Sequence, residues 1–184
     1  MSKTVVVPIA KGFEELEAVS MIDVMRRGGL NVIVCTLINK EVQGAHGIVV
    51  NADAHIDSIN SDEIDMIALP GGWDGTYRLA DDQYVQRLLK EMDAKGKDIA
   101  AMCAAPYALA KAGVLKEGYT CYPAAAKEID VAGYTEDKKV VQTQNVMTSQ
   151  GPGTAICFGL AIVERLVDAK TAATIKEGIL ASYC

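Results

Sequence analysis

Short apolar runs alternate along the chain with longer stretches in which apolar residues recur three and four positions apart, the pattern of strands alternating with helices. The spacing predicts a Val-rich strand over Thr4–Ile9 and a helix over Glu14–Arg27, stopped by Gly28 and Gly29. Val32–Leu37 is almost continuously apolar, which suits a strand covered on both faces. Glu41 to Ile56 is Gly-punctuated and Val-rich and reads as a hairpin-like excursion. A strand over Asp65–Leu69 runs into Pro70, Gly71 and Gly72. A helix over Asp82–Lys95 follows, with Val85, Leu88, Leu89 and Met92 on one face and Gly96 as its stop. Ile99–Met102 is a short central strand leading into Cys103 and a helix from about Pro106 to Lys111. Beyond the run Tyr119–Tyr122 and an Ala-rich helix come a strand pair near Val140 and Val146 and a helix over Thr154–Val167. This order predicts an α/β fold, a three-layer sandwich with a mostly parallel central sheet and helices on both faces. The 184 residues suit one domain over 1–184, with no linker, repeat or low-complexity tract.

Composition narrows the partners. Half of the residues are apolar and 23% are charged, ordinary for a chain that folds alone. Eighteen Lys and Arg against 24 Asp and Glu leave a net charge of −6, which argues against constitutive nucleic-acid binding and against docking on anionic membranes. The first ten residues lack a secretory pattern, and no stretch has the length of a membrane span, so a cytoplasmic protein is expected. Cys35, Cys103, Cys121, Cys157 and Cys184 are odd in number and form no CxxC pair, so reduced thiols are expected and no metal site.

In doubly wound sheets ligands gather where strands end and helices begin. Cys103 sits at such a junction, flanked by Ala100, Ala101, Ala104 and Ala105, in the setting of a nucleophile elbow. A helix start lowers a thiol from about 8.5 toward neutrality and favours the reactive thiolate. The competing reading is a buried core thiol. Glu17 shares a helix row with Met21 and Val24, so its carboxyl points along an apolar stripe, where burial raises its pKa and makes it a proton donor or shuttle. Gly71 and Gly72 leave backbone N–H groups free near the strand end, either as an oxyanion hole or as an ordinary turn. Gly151-Pro152-Gly153 lacks the third glycine of a dinucleotide fingerprint, and there is no Walker sequence.

The segments AKGFEELEA (10–18), DVMRRGG (23–29), LPGG (69–72), AAMCAAP (100–106) and TSQGPGTA (148–155), in that order, resemble the ThiJ/PfpI superfamily, in the DJ-one branch with its bacterial ThiJ/YajL-type relatives. The resemblance implies a flavodoxin-like fold, a homodimer, no cofactor, Cys103 as nucleophile or oxidation-sensing thiol, and Glu17 as its partner and proton shuttle. It also implies that the N–H groups of Gly72 and Ala104 form an oxyanion pocket, with Gly71 beside it. Arg27 and His46 match positions that line an anion site near the dimer contact in relatives, although the second is Arg there. Tyr122 stands before Pro123 where several members carry His, and a neutral phenol is a poor proton acceptor at pH 7. The implied activity is that of a cysteine enzyme on a small reactive carbonyl, a 2-oxoaldehyde such as methylglyoxal or its adducts, of the glyoxalase III or deglycase kind. The alternatives are an oxidative-stress sensor or redox-regulated chaperone using Cys103, and, third, an amidase or peptidase, disfavoured because Ala104 stands where protease-like relatives have His.

Overall fold

The computed structural model describes residues 2–184. Its centre is a seven-stranded sheet built from β1 (Thr4–Ile9), β2 (Asn31–Thr36), β5 (Ala54–His55), β6 (Met66–Leu69), β7 (Asp98–Met102), β8 (Val140–Thr143) and β9 (Val146–Ser149). The spatial order is β5-β2-β1-β6-β7-β9-β8, parallel throughout except for the β8–β9 hairpin. The excursion expected between 41 and 56 is a separate antiparallel pair, β3 (Glu41–Gln43) and β4 (Val49–Asn51).

Apolar strands buried on both faces need a cover on each side, and the chain supplies two cores. One face carries α2 (Trp73–Asp81), α3 (Gln83–Ala94) and α4 (Pro106–Ala112), with Leu79, Leu88, Leu89 and Leu109 fully buried. The other carries α1 (Glu15–Arg27), α5 (Ala155–Leu166) and α6 (Ala169–Gly178), with Met21, Met25, Phe158 and Ile162 fully buried. α1 and α5 lie against each other because Gly159 leaves room: a Cβ there would come within 2.9 Å of Val24 Cβ. Burying a Leu- or Met-sized side chain stabilises by about 1.5–3 kcal/mol, so the two cores dominate the folding energy.

Chain order reverses direction across the sheet at β1, whose neighbours are β2 and β6. Pairing of β1 with β6 ends at Val6, two residues before Pro8, which has no N–H to donate to a ladder. The strand ends separate there and open the crevice that doubly wound sheets use.

Several elements differ from the sequence expectation. α2 and α6 were not anticipated; α2 is short and carries Gly75, and α6 has a weak apolar stripe. The Ala-rich segment makes only a single 3-10 turn, Ala125–Glu128. Tyr119–Tyr122 adds no strand: Tyr119 forms one isolated bridge to Tyr134, and Thr120 N–H donates to the Thr148 side chain instead of to a ladder. The expectation of five reduced thiols is corrected, because Cys157 and Cys184 form a disulfide with a Cα–Cα distance of 5.1 Å. α6 turns the chain back so that the last residue reaches α5, a contact that no local pattern encodes. Among the described residues no helix is long and apolar enough to cross a membrane.

Candidate functional site

β7 ends at Met102, and the next residue, Cys103, has φ 58°. A left-handed conformation in a non-glycine residue costs on the order of 1–2 kcal/mol and persists only where the surroundings impose it. Here Cys103 N–H donates to Ser149 O (2.9 Å) and Cys103 O accepts from Tyr122 N–H (2.8 Å), pinning the elbow between the end of β9 and the Tyr122 loop. Pro106, at the first position of α4, stops the turn from relaxing into a longer helix. Cys103 is left 9% exposed, at the edge of the core with its sulfur toward the crevice residues described next.

Glu17 lies on α1, where the Glu14 side chain caps the helix by accepting from Glu17 N–H (2.7 Å). The row it shares with Met21 and Val24 packs inward, so Glu17 is fully buried. Its Oε2 accepts from Gly71 N–H at 2.7 Å, while its Oε1 is buried with no oxygen or nitrogen partner among the described residues. The side chain that faces it is the Cys103 thiol. Gly71 makes the approach possible, since a Cβ there would lie 2.6 Å from Cys103 Cβ and 2.8 Å from Glu17 Oε2. Gly72, at φ 88°, is closed to a side chain as well, because a Cβ would come within 2.5 Å of Gly12 O.

Burial pushes the Glu17 carboxyl up from 4.5 to about 7. Burial, and then the charge of Glu17, push the Cys103 thiol up as well, opposite to the lowered thiol expected from a helix start. The backbone N–H groups of Gly72 and Ala104, beside the sulfur, act in the other direction and favour the thiolate. The carboxyl and the thiol therefore share one proton problem. When Glu17 holds the proton, its repulsion of a thiolate is gone and its O–H can donate to the sulfur, so two donors and a third conditional one surround that atom.

Tyr122 is 43% exposed and flanks the elbow. With Pro123, Glu136, Gln150 and Gly151 it lines a shallow depression of about 360 Å³. A larger cavity, about 600 Å³, lies elsewhere, beyond the ends of β1 and β2 and lined by Lys11, Leu37, Val42 and Arg78; it holds neither Cys103 nor Glu17.

The structure does not bring Arg27 and His46 together within the chain. Arg27 is at the far end of α1, about 18 Å along the helix axis from Glu15, and its Nε pairs with Asp23 at 2.6 Å. His46, in the β3–β4 turn, bonds Glu15 Oε2 through Nδ1 at 2.9 Å. Within the chain it faces the carboxylates of Glu14 and Glu15. Sequence reasoning missed Glu15, which is buried and accepts N–H bonds from His46 (2.6 Å) and Ile48 (3.3 Å), tying the hairpin to α1. Burial alone would raise its carboxyl, but His46 and these N–H groups hold it below the usual range. Gly44 is the trace it leaves in the sequence, because any Cβ there would strike the Glu15 carboxylate at 2.4 Å. Glu14, Glu15 and His46 each offer an atom within 4.8 Å of the others, an arrangement already satisfied as an ion pair.

Residues 3–165 match the DJ-1/PfpI family. The chain is 37% identical over 186 residues to Protein dj-1beta of Drosophila melanogaster, covering 100% of each. It is 36% identical over 154 residues to a Caenorhabditis elegans protein named Glutathione-independent glyoxalase DJR-1.2, covering 83% of this chain and 82% of that one. The crystal structure of Drosophila melanogaster DJ-1beta superposes with a TM-score of 0.94 at 36% identity, covering 98% of each chain.

Proposed function

Because the chain belongs to the DJ-1/PfpI family, we propose that it is a cofactor-independent cysteine enzyme acting on 2-oxoaldehydes such as methylglyoxal, or on their adducts with amines and thiols. The observation that carries this reading is a fully buried carboxyl, unpartnered at Oε1, set against a thiol on a left-handed elbow. A relative at 36% identity bears the name of a glutathione-independent glyoxalase, which adds weight to the same chemistry.

In this reaction the Cys103 thiolate adds to the aldehyde carbon, and the carbonyl electron pair moves onto the oxygen as an alkoxide two bonds from the sulfur, where the Gly72 and Ala104 N–H groups stabilise it. Glu17 gives its proton to that oxygen and, now a carboxylate, takes the proton from the same carbon; the released pair forms a carbon–carbon double bond while the neighbouring carbonyl pair moves onto its oxygen, which takes up a proton to give an enediol. Return of a proton to the neighbouring carbon leaves a thioester of a 2-hydroxy acid. One carbon is oxidised and its neighbour reduced, so no outside electron acceptor is needed. Water then cleaves the thioester and restores the thiol. In this reading Tyr122 donates its hydroxyl to the second substrate oxygen rather than accepting a proton.

The working unit in this reading is a homodimer. Leu16 (57% exposed) and Val19 (48%) on α1, with Ile48 and Val49 on the hairpin that Glu15 holds against it, form an apolar surface suited to a second copy. The near burial of Cys103 favours a second function as an oxidation sensor, since a peroxide is small enough to reach a sulfur that is 9% exposed. The deciding experiment is methylglyoxal consumption with lactate quantified, for the wild type, Cys103→Ser and Glu17→Gln. Turnover lost in both variants is the expected outcome. No lactate from the wild type, together with peroxide oxidation confined to Cys103, replaces the enzyme by the sensor.

A further inference from the structure

The turn after α6 is strained and is fastened by a sulfur bond that solvent can reach. Leu180 has φ 58° in the position that closes a helix, which glycine ordinarily fills, and at 85% exposure it gains no burial in return. Such a conformation persists where the surroundings impose it. Here Ala181 is buried and donates its N–H to Lys176 O at 3.0 Å, and the Cys157–Cys184 bond, four residues beyond Leu180, ties the turn to the first turn of α5. The two cysteines are unequal: Cys157 is buried, whereas Cys184 is exposed. Both line one cavity of about 450 Å³ between β8, α5 and α6, with Val140, Leu160 and Ala172. None of Leu16, Val19, Ile48 and Val49, the surface assigned above to a second copy, lines it.

The same turn reaches the Cys103 elbow. Lys139, just before β8, donates from Nζ to Tyr183 O, and its own backbone oxygen accepts from Ser149 Oγ at 2.7 Å. Ser149 Oγ also lies 2.7 Å from Oγ1 of Thr154, three residues before Cys157. Ser149 O in turn accepts from Cys103 N–H at 2.9 Å. Both ends of the sulfur bond therefore lead to Ser149, Cys184 through Tyr183 and Lys139, and Cys157 through the start of α5.

We propose that the Cys157–Cys184 bond is a latch on the Cys103 elbow, opened by a small thiol that attacks Cys184 and closed again by Cys157. The incoming thiolate attacks Cys184 Sγ and forms a new sulfur–sulfur bond there. The Cys157–Cys184 bond breaks, and its electron pair leaves on Cys157, whose place in the first turn of α5 favours a thiolate. One sulfur–sulfur bond replaces another, so the step needs no oxidant. The reverse step has the Cys157 thiolate attack Cys184 Sγ and expel the small thiol. While the bond is open the strained turn relaxes, Lys139 loses its hold on Tyr183, and Ser149 holds Cys103 N–H less firmly. The inference names a means of regulating the Cys103 site, and it rests on the reading of Cys103 as the reacting thiol.

The test has a chemical and a mechanical arm, both on the full chain in its native assembly, with the native mass checked before and after opening. In the first, the oxidised wild type is treated with reduced glutathione, quenched with N-ethylmaleimide and mapped by peptide mass. Glutathione is expected on Cys184 about tenfold faster than on Cys157, because access governs which sulfur is attacked. In the second, amide hydrogen exchange is compared between the oxidised wild type and Cys184→Ser, which holds the latch open without any thiol. Exchange in peptides spanning Cys103 should speed up by roughly three- to thirtyfold, while peptides from α3, on the opposite face of the sheet, stay unchanged. In Ser149→Ala, which keeps the backbone oxygen but cuts both routes at Oγ, adding Cys184→Ser should no longer change the exchange at Cys103. A bond that glutathione does not open, or attack on Cys157 as fast as on Cys184, overturns the inference. So does an unchanged Cys103 segment, an equal acceleration in α3, or an effect that survives in Ser149→Ala. If the wild type makes no lactate from methylglyoxal while both arms come out as expected, the enzyme reading fails and the latch stands.

Discussion

Replacing Glu17 by Gln should make the protein more stable at pH 8 while removing its activity. The carboxyl is fully buried, and burial lifts it from 4.5 to about 7 in the folded chain. In the unfolded chain it ionises near 4.5, so between these values the folded state holds a proton that the unfolded state has released. Stability therefore falls as pH rises through that window and levels off above it. A displacement of 2.5 pH units at about 1.36 kcal/mol each comes to about 3 kcal/mol of destabilisation at pH 8, absent at pH 4. Gln keeps the acceptor for Gly71 N–H and has no charge to desolvate, so it escapes this cost. Urea unfolding of wild type and Glu17→Gln at half-unit steps from pH 4.5 to 8.5 should show the difference opening in favour of the variant by about 2–3 kcal/mol, with the rise centred between 4.5 and 7. For a chain of this size that corresponds to a melting shift on the order of 5–10 °C at pH 8. A difference that does not vary with pH, or a variant less stable than wild type at pH 8, means that Glu17 is not a buried acid with a raised pKa. The proton-shuttle role falls with it.

Gly71→Ala should abolish turnover and cost on the order of 1–3 kcal/mol, because its Cβ meets Cys103 Cβ at 2.6 Å; a melting curve and lactate assay check it, and an active, stable variant refutes the packing argument. Reducing the Cys157–Cys184 bond, which spans a sequence separation of 27 residues, should lower stability by up to about 3.5 kcal/mol on loop entropy, with faster amide exchange in α6. A melting midpoint indifferent to dithiothreitol, at a time when mass spectrometry shows the bond reduced, contradicts this. The His46–Glu15 contact raises the imidazole from 6.5, first through the hydrogen bond and then through the carboxylate charge. Its contribution is complete below pH 6.5 and is lost as pH rises through the higher folded value. Imidazole titration by NMR should place that value above 6.5 in the wild type and return it to the ordinary one in Glu15→Gln.

The alternation of apolar runs already contained β1, β2, β6, β7 and the helices α1, α3 and α5 to within a few residues, since each buries a stripe whose period is local. The two residues at the centre of the site were legible for the same reason. Glu17 stands out because a carboxyl interrupts an apolar row, and Cys103 because small residues crowd a strand-to-helix junction. The sign of the thiol's shift was not legible: the helix start is written in the sequence, but the burial and the facing carboxylate that oppose it belong to residues 86 positions apart. The same is true of the Cys157–Cys184 bond and the Glu15–His46 tie, each of which joins side chains from separate elements. Periodicity and turn chemistry act over a few residues and so determined the layers, the elbow and the buried acid. Desolvation, pairing and the balance of charge depend on which distant segments share a space, and only the packed chain decided those.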